Sequence, residues 1–292
     1  MKYAFMEEHL EYAAAKWAKM LKVSLSGFHA YLKRKDKRAE TERIYREQIR
    51  KYFEEGRGTY GVDRICGLMR KDGSKASYAR VKHLMEEMGM VSIHRRRRQR
   101  SLTDSRKARG DGYENLTKGL EITEPFQVIS SDISYIRTEE GFGYICQVRD
   151  VVSNVVLAEC MAEHMKSELV TDTIRQAVKR WHLPDGTIFH SDRGSQYTSD
   201  MVVSLLKNHG MRQSFSRTGM PGDNAWSESF FANMKKEKVH WMHFKTIDEA
   251  RQILFEYIEV FYNRKRAQKR LMYLSPVQWL KQWQQKDSQL VA

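Results

Sequence analysis

Phe126-Gln127-Val128-Ile129-Ser130-Ser131-Asp132-Ile133-Ser134-Tyr135-Ile136 is the stretch on which the fold turns. Its β-branched and aromatic residues predict a strand, and two runs of the same kind follow, Phe142 to Val151 and Val155 to Met161. The connections Arg137-Thr138-Glu139-Glu140-Gly141 and Val152-Ser153-Asn154 are short enough for an antiparallel meander. Beyond it, Leu169, Ile174, Ala177 and Val178 keep helical spacing over Ser167 to Trp181. Thr187 to Phe189 reads as a fourth strand, Met201 to Lys207 as a helix and Met211 to Phe215 as a fifth strand. The order βββαβαβα describes an α/β fold, a mixed sheet with flanking helices. After Asp223 the pattern is helical, with Pro276 opening the last helix.

Upstream of this sheet the period is helical throughout. Leu10, Ala14, Trp17, Ala18 and Leu21 recur on one face, Lys22-Val23-Ser24 interrupts them, and Leu25, Phe28 and Leu32 begin a second short helix capped by Ser24. This is the outline of a helix-turn-helix, and equally of a helical hairpin with no DNA role. A second all-α unit starts with a helix over Ile44 to Phe53. Gly58-Thr59-Tyr60-Gly61 punctuates it, and Val62, Ile65, Leu68 and Met69 form a stripe ending at Lys71-Asp72-Gly73. Ser77 caps a third helix with Val81, Leu84, Met85 and Met88 on one face and Gly89 as its stop. Arg80, Lys82 and His83 on its other face could reach phosphates or base edges in a major groove, or simply form a solvated basic face.

Apolar residues nearly vanish between His94 and Arg109, where Arg95, Arg96, Arg97, Arg98 and Arg100 crowd together. Such a like-charged run cannot bury itself and reads as a linker that meets phosphates, with binding that weakens steeply with salt. The chain therefore divides into a helical or helix-turn-helix unit at 1–38, a second helical unit at 39–93, a basic linker at 94–121, the mixed-sheet core at 122–240 and a helical extension at 241–292.

The 292 residues carry 51 Lys+Arg against 37 Asp+Glu, a net charge of +14 that suits a polyanionic partner, most simply nucleic acid. Cys66, Cys146 and Cys160 have no Cys-x-x-Cys spacing, so neither a disulfide framework nor a cysteine-rich zinc site is indicated. No apolar run is long enough to cross a membrane and the N-terminus lacks the apolar stretch of a signal peptide, so a reducing cytoplasm fits best.

Three carboxylates stand out against that basic background. Asp132 sits in mid-strand, a poor place for a bare charge unless a cation compensates it. Asp192 follows the strand Thr187 to Phe189, whose end delivers it to the rim of the sheet. Glu228, 36 positions later, falls in the first turn of a helix that Asp223 or Asn224 can cap. Two strand positions and a helix start can converge on one cluster, and hard oxygen ligands of this kind hold a pair of divalent ions for phosphodiester chemistry. Lys235, seven residues beyond Glu228, returns to the same helix face roughly 10 Å along the axis, where it would meet a phosphate. His190 could orient Asp192 or touch DNA, or be packed locally.

The segments around these residues carry a resemblance. Ser131-Asp132-Ile133-Ser134-Tyr135, His190-Ser191-Asp192-Arg193-Gly194-Ser195-Gln196-Tyr197 and Asp223-Asn224-Ala225 through Glu228-Ser229-Phe230-Phe231 are similar to the three catalytic blocks of DDE transposases of the third bacterial insertion-sequence family, reading frame B. Ser26 to Leu32, Tyr60 to Ile65 and Val81 to Met85 resemble the helical DNA-binding parts of the same family. The resemblance implies a ribonuclease H-like, retroviral-integrase-like core. It also implies Mg²⁺ (or Mn²⁺), two ions per site, held by Asp132, Asp192 and Glu228, with Lys235 as basic partner. Water would free a 3′-hydroxyl at an element end, and that hydroxyl would attack a second phosphodiester with no covalent protein–DNA intermediate.

The implied partners are double-stranded DNA (element terminal repeats and target), further copies of this chain as a dimer or larger on DNA, and the product of an upstream reading frame as fusion or partner. The implied location is the bacterial nucleoid. Tyr262-Asn263-Arg264 with Arg266 matches a C-terminal family motif, but Gln268 stands where the family has His, and Asn154 where it has Arg. Competing readings are a DNA-binding regulator without activity and a plain metal-dependent nuclease; the latter leaves the helical units and the arginine run without a role.

Overall fold

Strands β1 (Val128–Thr138), β2 (Gly141–Asp150) and β3 (Val156–Ala162) form the predicted antiparallel meander. β4 (Ile188–Ser191) and β5 (Arg212–Phe215) add in parallel beside β1, giving the order β3-β2-β1-β4-β5. The structure is a computed structural model that describes residues 1–95, 113–217 and 224–290, without the side chains of Arg95 and of 287–290. Thr138 pairs with Gly141 across a two-residue turn, and Gly141 has φ +132°, a conformation from which a Cβ excludes other residues.

Alternation along the strands sends side chains to two different cores. On one face, Ile129, Cys146, Val148 and Phe189 pack beneath helices α6 (Ser167–Arg180) and α7 (Asp200–Asn208). On the other, Ile136, Ile145 and Val156 meet α8 (Ala225–Glu237) and α9 (Ile247–Phe255), which continues as a π-helical turn over Glu256–Tyr262. The last helix, α10, spans Pro276–Leu290.

Before the sheet come α1 (Lys2–Glu8), α2 (Ala14–Met20), α3 (Leu25–Glu55), α4 (Val62–Lys71) and α5 (Tyr78–Glu87). The predicted caps are made: Ser24 Oγ accepts from Gly27 N at 3.2 Å and Ser77 Oγ from Arg80 N at 3.2 Å. One expectation is corrected. The short helix at Leu25 and the helix over Ile44 to Phe53 are a single 31-residue helix, so the division at 38/39 falls inside α3. Apolar periodicity is lost in its middle, and ion pairs one turn apart support it instead, Arg43 with Glu40 and Glu47 at 2.7 Å each and Arg46 with Glu42 at 2.8 Å. Leu10 is exposed, and Met6 fills the small N-terminal core with Ala18 and Phe28.

The second helical unit does not stand apart from the sheet. Ile49, Tyr52, Ile65, Met69 and Leu84 share one hydrophobic core with Phe230, Met234, Tyr257 and Phe261. Polar contacts reinforce the seam: Tyr60 Oη accepts from Ala267 N at 2.7 Å, and Arg57 pairs with Glu256 at 2.6 Å. Tyr60 is held under the end of α3 so closely that a Cβ on Gly56 would lie 2.4 Å from its ring. Gly56→Ala is therefore expected to destabilise the protein by about 1–3 kcal/mol through overpacking, read by urea denaturation; an unchanged midpoint would show that the ring can move aside.

Candidate active site

β1 and β4 run parallel with Ser130 opposite His190. Asp132 in β1 and Asp192 just past the end of β4 each stand two residues further on, so the sheet's spacing of about 4.8 Å brings two carboxylates side by side. Asp132 is half-buried and accepts from Ile133 N at 2.8 Å; Asp192, also half-buried, accepts from Gly194 N at 3.0 Å. Burial first, then the charge of Asp192, pushes the Asp132 carboxyl up to about 7. Glu228 adds to the rise more weakly, while the Ile133 N–H and Lys235 oppose it. Burial also raises Asp192 against the pull of the Gly194 N–H.

Helix α8 brings the remaining groups over this pair. Gln147, the cross-strand partner of Asp132, donates from Nε2 to Ser227 Oγ at 3.1 Å, and Trp226 stands edge-on to the His190 ring at 5.7 Å between centroids. The first turn of α8 is thus fixed above the β1–β4 seam, with Glu228 on it. Glu228 is exposed and its carboxyl is raised by partial burial. Lys235 is half-buried with Nζ 4.8 Å from the centre of the Tyr135 ring; burial lowers its pKa and Asp132 opposes that. Among the described residues no three His, Cys, Asp or Glu side chains are already gathered tightly enough to hold an ion.

Of the two supporting residues, His190 takes the locally packed alternative and Asn224 does not make the side-chain cap that its position allows. His190 is fully buried, with Nδ1 2.9 Å from Ser214 Oγ, so it joins β4 to β5 and seats Trp226. Asn224 occupies the N-cap position of α8, but its side chain makes no capping bond and its buried Oδ1 has no hydrogen-bond partner among the described residues. Asp223 lies outside the described residues.

Of the candidate DNA contacts, each on α5 has an acidic neighbour: Arg80 pairs with Glu42, Lys82 lies 3.9 Å from Glu86 and His83 lies 3.1 Å from Glu87. Arg96, Arg97, Arg98 and Arg100, and the side chain of Arg95, lie outside the described residues.

Sequence reasoning missed the far end of α8. Glu237, whose side chain is fully buried, accepts from Arg266 at 2.7 Å, from Tyr257 Oη at 2.8 Å, and lies 2.8 Å from His94 Nε2. Arg266 and these hydrogen bonds outweigh burial and hold its carboxyl down at about 2. A lone Glu after two lysines carries no signal in sequence, since its partners come from 29 residues downstream and 143 upstream.

The neighbouring motif residue Asn263 is structural too, bonding both backbone groups of Val156 at 2.9–3.0 Å. Gln268 and Asn154, the two departures from the family pattern, touch each other: Asn154 Nδ2 donates to Gln268 Oε1 at 3.0 Å. Asn154 has φ +61°, a turn conformation that Asn tolerates well. The pair closes the β2–β3 turn against the C-terminal segment.

A family described as integrase core domain matches residues 122–221, a second of that description matches 228–283, and one described as HTH-like domain matches 39–98. The transposase for insertion sequence element IS904 of Lactococcus lactis is 37% identical over 83% of this chain and 96% of its own length. Transposase InsF for insertion sequence IS3A of Escherichia coli is 32% identical over 96% of this chain and 98% of its own. This chain belongs to the IS3 family of transposases. It is a transposase with an integrase core of ribonuclease H-like fold, five strands in mixed order with flanking helices, and an HTH-like DNA-binding domain. In this transposase the described helices include none long and apolar enough to cross a membrane.

Proposed function

We propose that Asp132, Asp192 and Glu228 hold two divalent ions, Mg²⁺ or in its place Mn²⁺, and that the transposase uses this site to cleave the ends of its element and join them to target DNA. The observation that supports this reading most is the Asp132–Asp192 pair itself, two half-buried carboxylates side by side, with Lys235 drawing the Asp132 carboxyl down. An all-oxygen donor set of this charge fits a hard divalent cation. When bound, the ions supply positive charge at the phosphate and acidify the attacking hydroxyl or water.

The chain's own residues do the rest. β1 and β4 hold two carboxylates at fixed spacing, oriented by the N–H groups of Ile133 and Gly194. Helix α8 carries Glu228 in from above, and Lys235 on that helix stands where the DNA backbone passes the site. The helical units hold the terminal repeats, through Arg80, Lys82 and His83 among others, and the basic linker adds Arg95, Arg96, Arg97, Arg98 and Arg100. Two element ends must be held together for joining, so the working form is a dimer or larger assembly, with the upstream reading-frame product as a further partner, at the nucleoid.

The test is a strand-transfer assay on terminal-repeat duplex with Mg²⁺, comparing the parent with Asp192→Asn and Glu228→Gln. Joining by the parent and its loss in both variants supports the site; equal joining by the variants removes it. Cleavage without joining by the parent would favour a plain nuclease.

Ion binding also has a pH signature. Because Asp132 titrates near 7, an ion must displace its proton below that pH. Mn²⁺ is expected to raise the melting temperature clearly at pH 8 and, with affinity falling about tenfold per pH unit below 7, little at pH 5.5. Equal shifts at both pH values would place the ion elsewhere.

A further inference from the structure

The middle of α3 has no apolar reason to exist. The N-terminal core takes its last α3 residue at Leu32, and the main core takes its first at Tyr45. Between them the helix crosses about 20 Å with no residue in either core. Two cations there bond acidic groups, Lys35 to Glu7 and Arg43 to Glu40 and Glu47.

Three of the four remaining cations, all but Lys33, share one groove. Arg34, Lys37 and Arg38 line a groove of about 640 Å³ between α3 and α5, together with Thr41, Tyr45 and Arg80. All three are exposed. Arg34 Nε bonds the carbonyl of Ala30 at 3.1 Å, and among the described residues no acidic side chain pairs with any of the three. The groove's single acid, Glu42, is shared by Arg80 and Arg46.

The three cations fall at i, i+3 and i+4, on one helix face and within one turn. Their rise of about 6 Å is close to two phosphate steps along one strand of a duplex, about 3.4 Å each. Exposed arginine and lysine on a rigid helix, beside a hydroxyl at Thr41, make a surface for a polyanion.

We propose that this groove binds the phosphate backbone of duplex DNA, independently of sequence, between the two helical units. Arg34, Lys37 and Arg38 lie upstream of the HTH-like match at 39–98, so the contact extends the DNA-holding surface beyond that domain. It rests on the reading that this transposase holds duplex DNA, and not on the metal site.

The test uses the full chain carrying Arg34→Gln, Lys37→Gln and Arg38→Gln together, with fluorescence anisotropy on a terminal-repeat duplex and on a shuffled duplex of equal length. From 50 to 200 mM salt, losing three phosphate contacts should make the slope of log affinity against log salt shallower by about 2 to 3. Both dissociation constants should rise by a common factor of about tenfold or more at 100 mM salt. Gln keeps the helix, so circular dichroism and the melting temperature should match the parent's. An unchanged slope would overturn the proposal, and so would a loss confined to the terminal-repeat duplex, which would mean base reading. Strand transfer that fails in Asp192→Asn and Glu228→Gln while anisotropy is unaffected keeps the two readings separable.

Discussion

Replacing Asp132 by Asn is expected to lower strand transfer by about a thousandfold or more and, in metal-free buffer at pH 8, to raise the melting temperature. Both effects come from one carboxylate. Asn keeps the shape but offers a divalent ion only a neutral carbonyl oxygen, so the two remaining proposed ligands would not hold it in place. For stability the sign runs the other way from the usual acid. The folded-state pKa of Asp132, about 7, lies above its ordinary value of 3.8, so folding favours the protonated form. Stability is therefore lost as pH rises from about 4 through about 7, and the penalty is complete above that.

Its upper bound is about 4 kcal/mol, which Asn escapes. The parent and Asp132→Asn should then melt alike at pH 4 and diverge by several degrees at pH 8; added Mn²⁺ should close the gap by stabilising the parent alone. An Asn variant that is less stable than the parent at pH 8 in chelator would mean that Asp132 carries no unmet charge.

Arg266→Met is expected to destabilise the transposase by about 3–5 kcal/mol, the largest stability loss anticipated here. Arg266 is buried against Glu237 through three hydrogen bonds, and Met would leave that carboxylate buried with hydrogen bonds from Tyr257 and His94 and the more distant charge of Arg64. The double variant Glu237→Gln with Arg266→Met removes both charges and should recover most of the loss. Glu237 is held at about 2, below its ordinary 4.5, so its contribution is present above about pH 4.5 and lost as pH falls toward 2. The difference between parent and Arg266→Met should accordingly shrink in acid, measured by denaturant titration at pH 7 and pH 3. A single variant within 1 kcal/mol of the parent would show that the site relaxes to water.

The same buried pair ties α8 to the HTH-like region and to the C-terminal segment. Glu237 ends the helix that bears Glu228 and Lys235, while His94 closes the second helical unit and Arg266 belongs to the C-terminal motif. Unfastening it frees the end of α8 from both neighbours at once. Activity of Arg266→Met should fall further than its folded fraction predicts, a split that a role in bulk stability alone would not produce.

The meander, both parallel strands and the caps at Ser24 and Ser77 were legible in the sequence because they rest on local signals, period-two alternation, turn residues and side-chain acceptors three residues from the groups they cap. The two aspartates were legible as positions, Asp132 inside one strand and Asp192 just past another, but the parallel register of Ser130 with His190 that sets them side by side was not. Other features left no local trace. Nothing in Ile44 to Phe53 announces that its helix begins at Leu25, since ion pairs replace apolar spacing there. Nothing in Asn154 or Gln268 alone shows that the two touch across 114 residues.

The order of elements, the three acidic positions and the basic character of the chain belong to the sequence, because they depend on neighbours within a few residues and on summed charge. Only the tertiary structure decided that the second helical unit shares a core with α8 and α9, that Glu237 and Arg266 form a buried pair, and that Arg34, Lys37 and Arg38 face a groove. Burial and pairing between distant segments depend on how helix faces meet, and in this chain the faces that meet lie up to about two hundred residues apart.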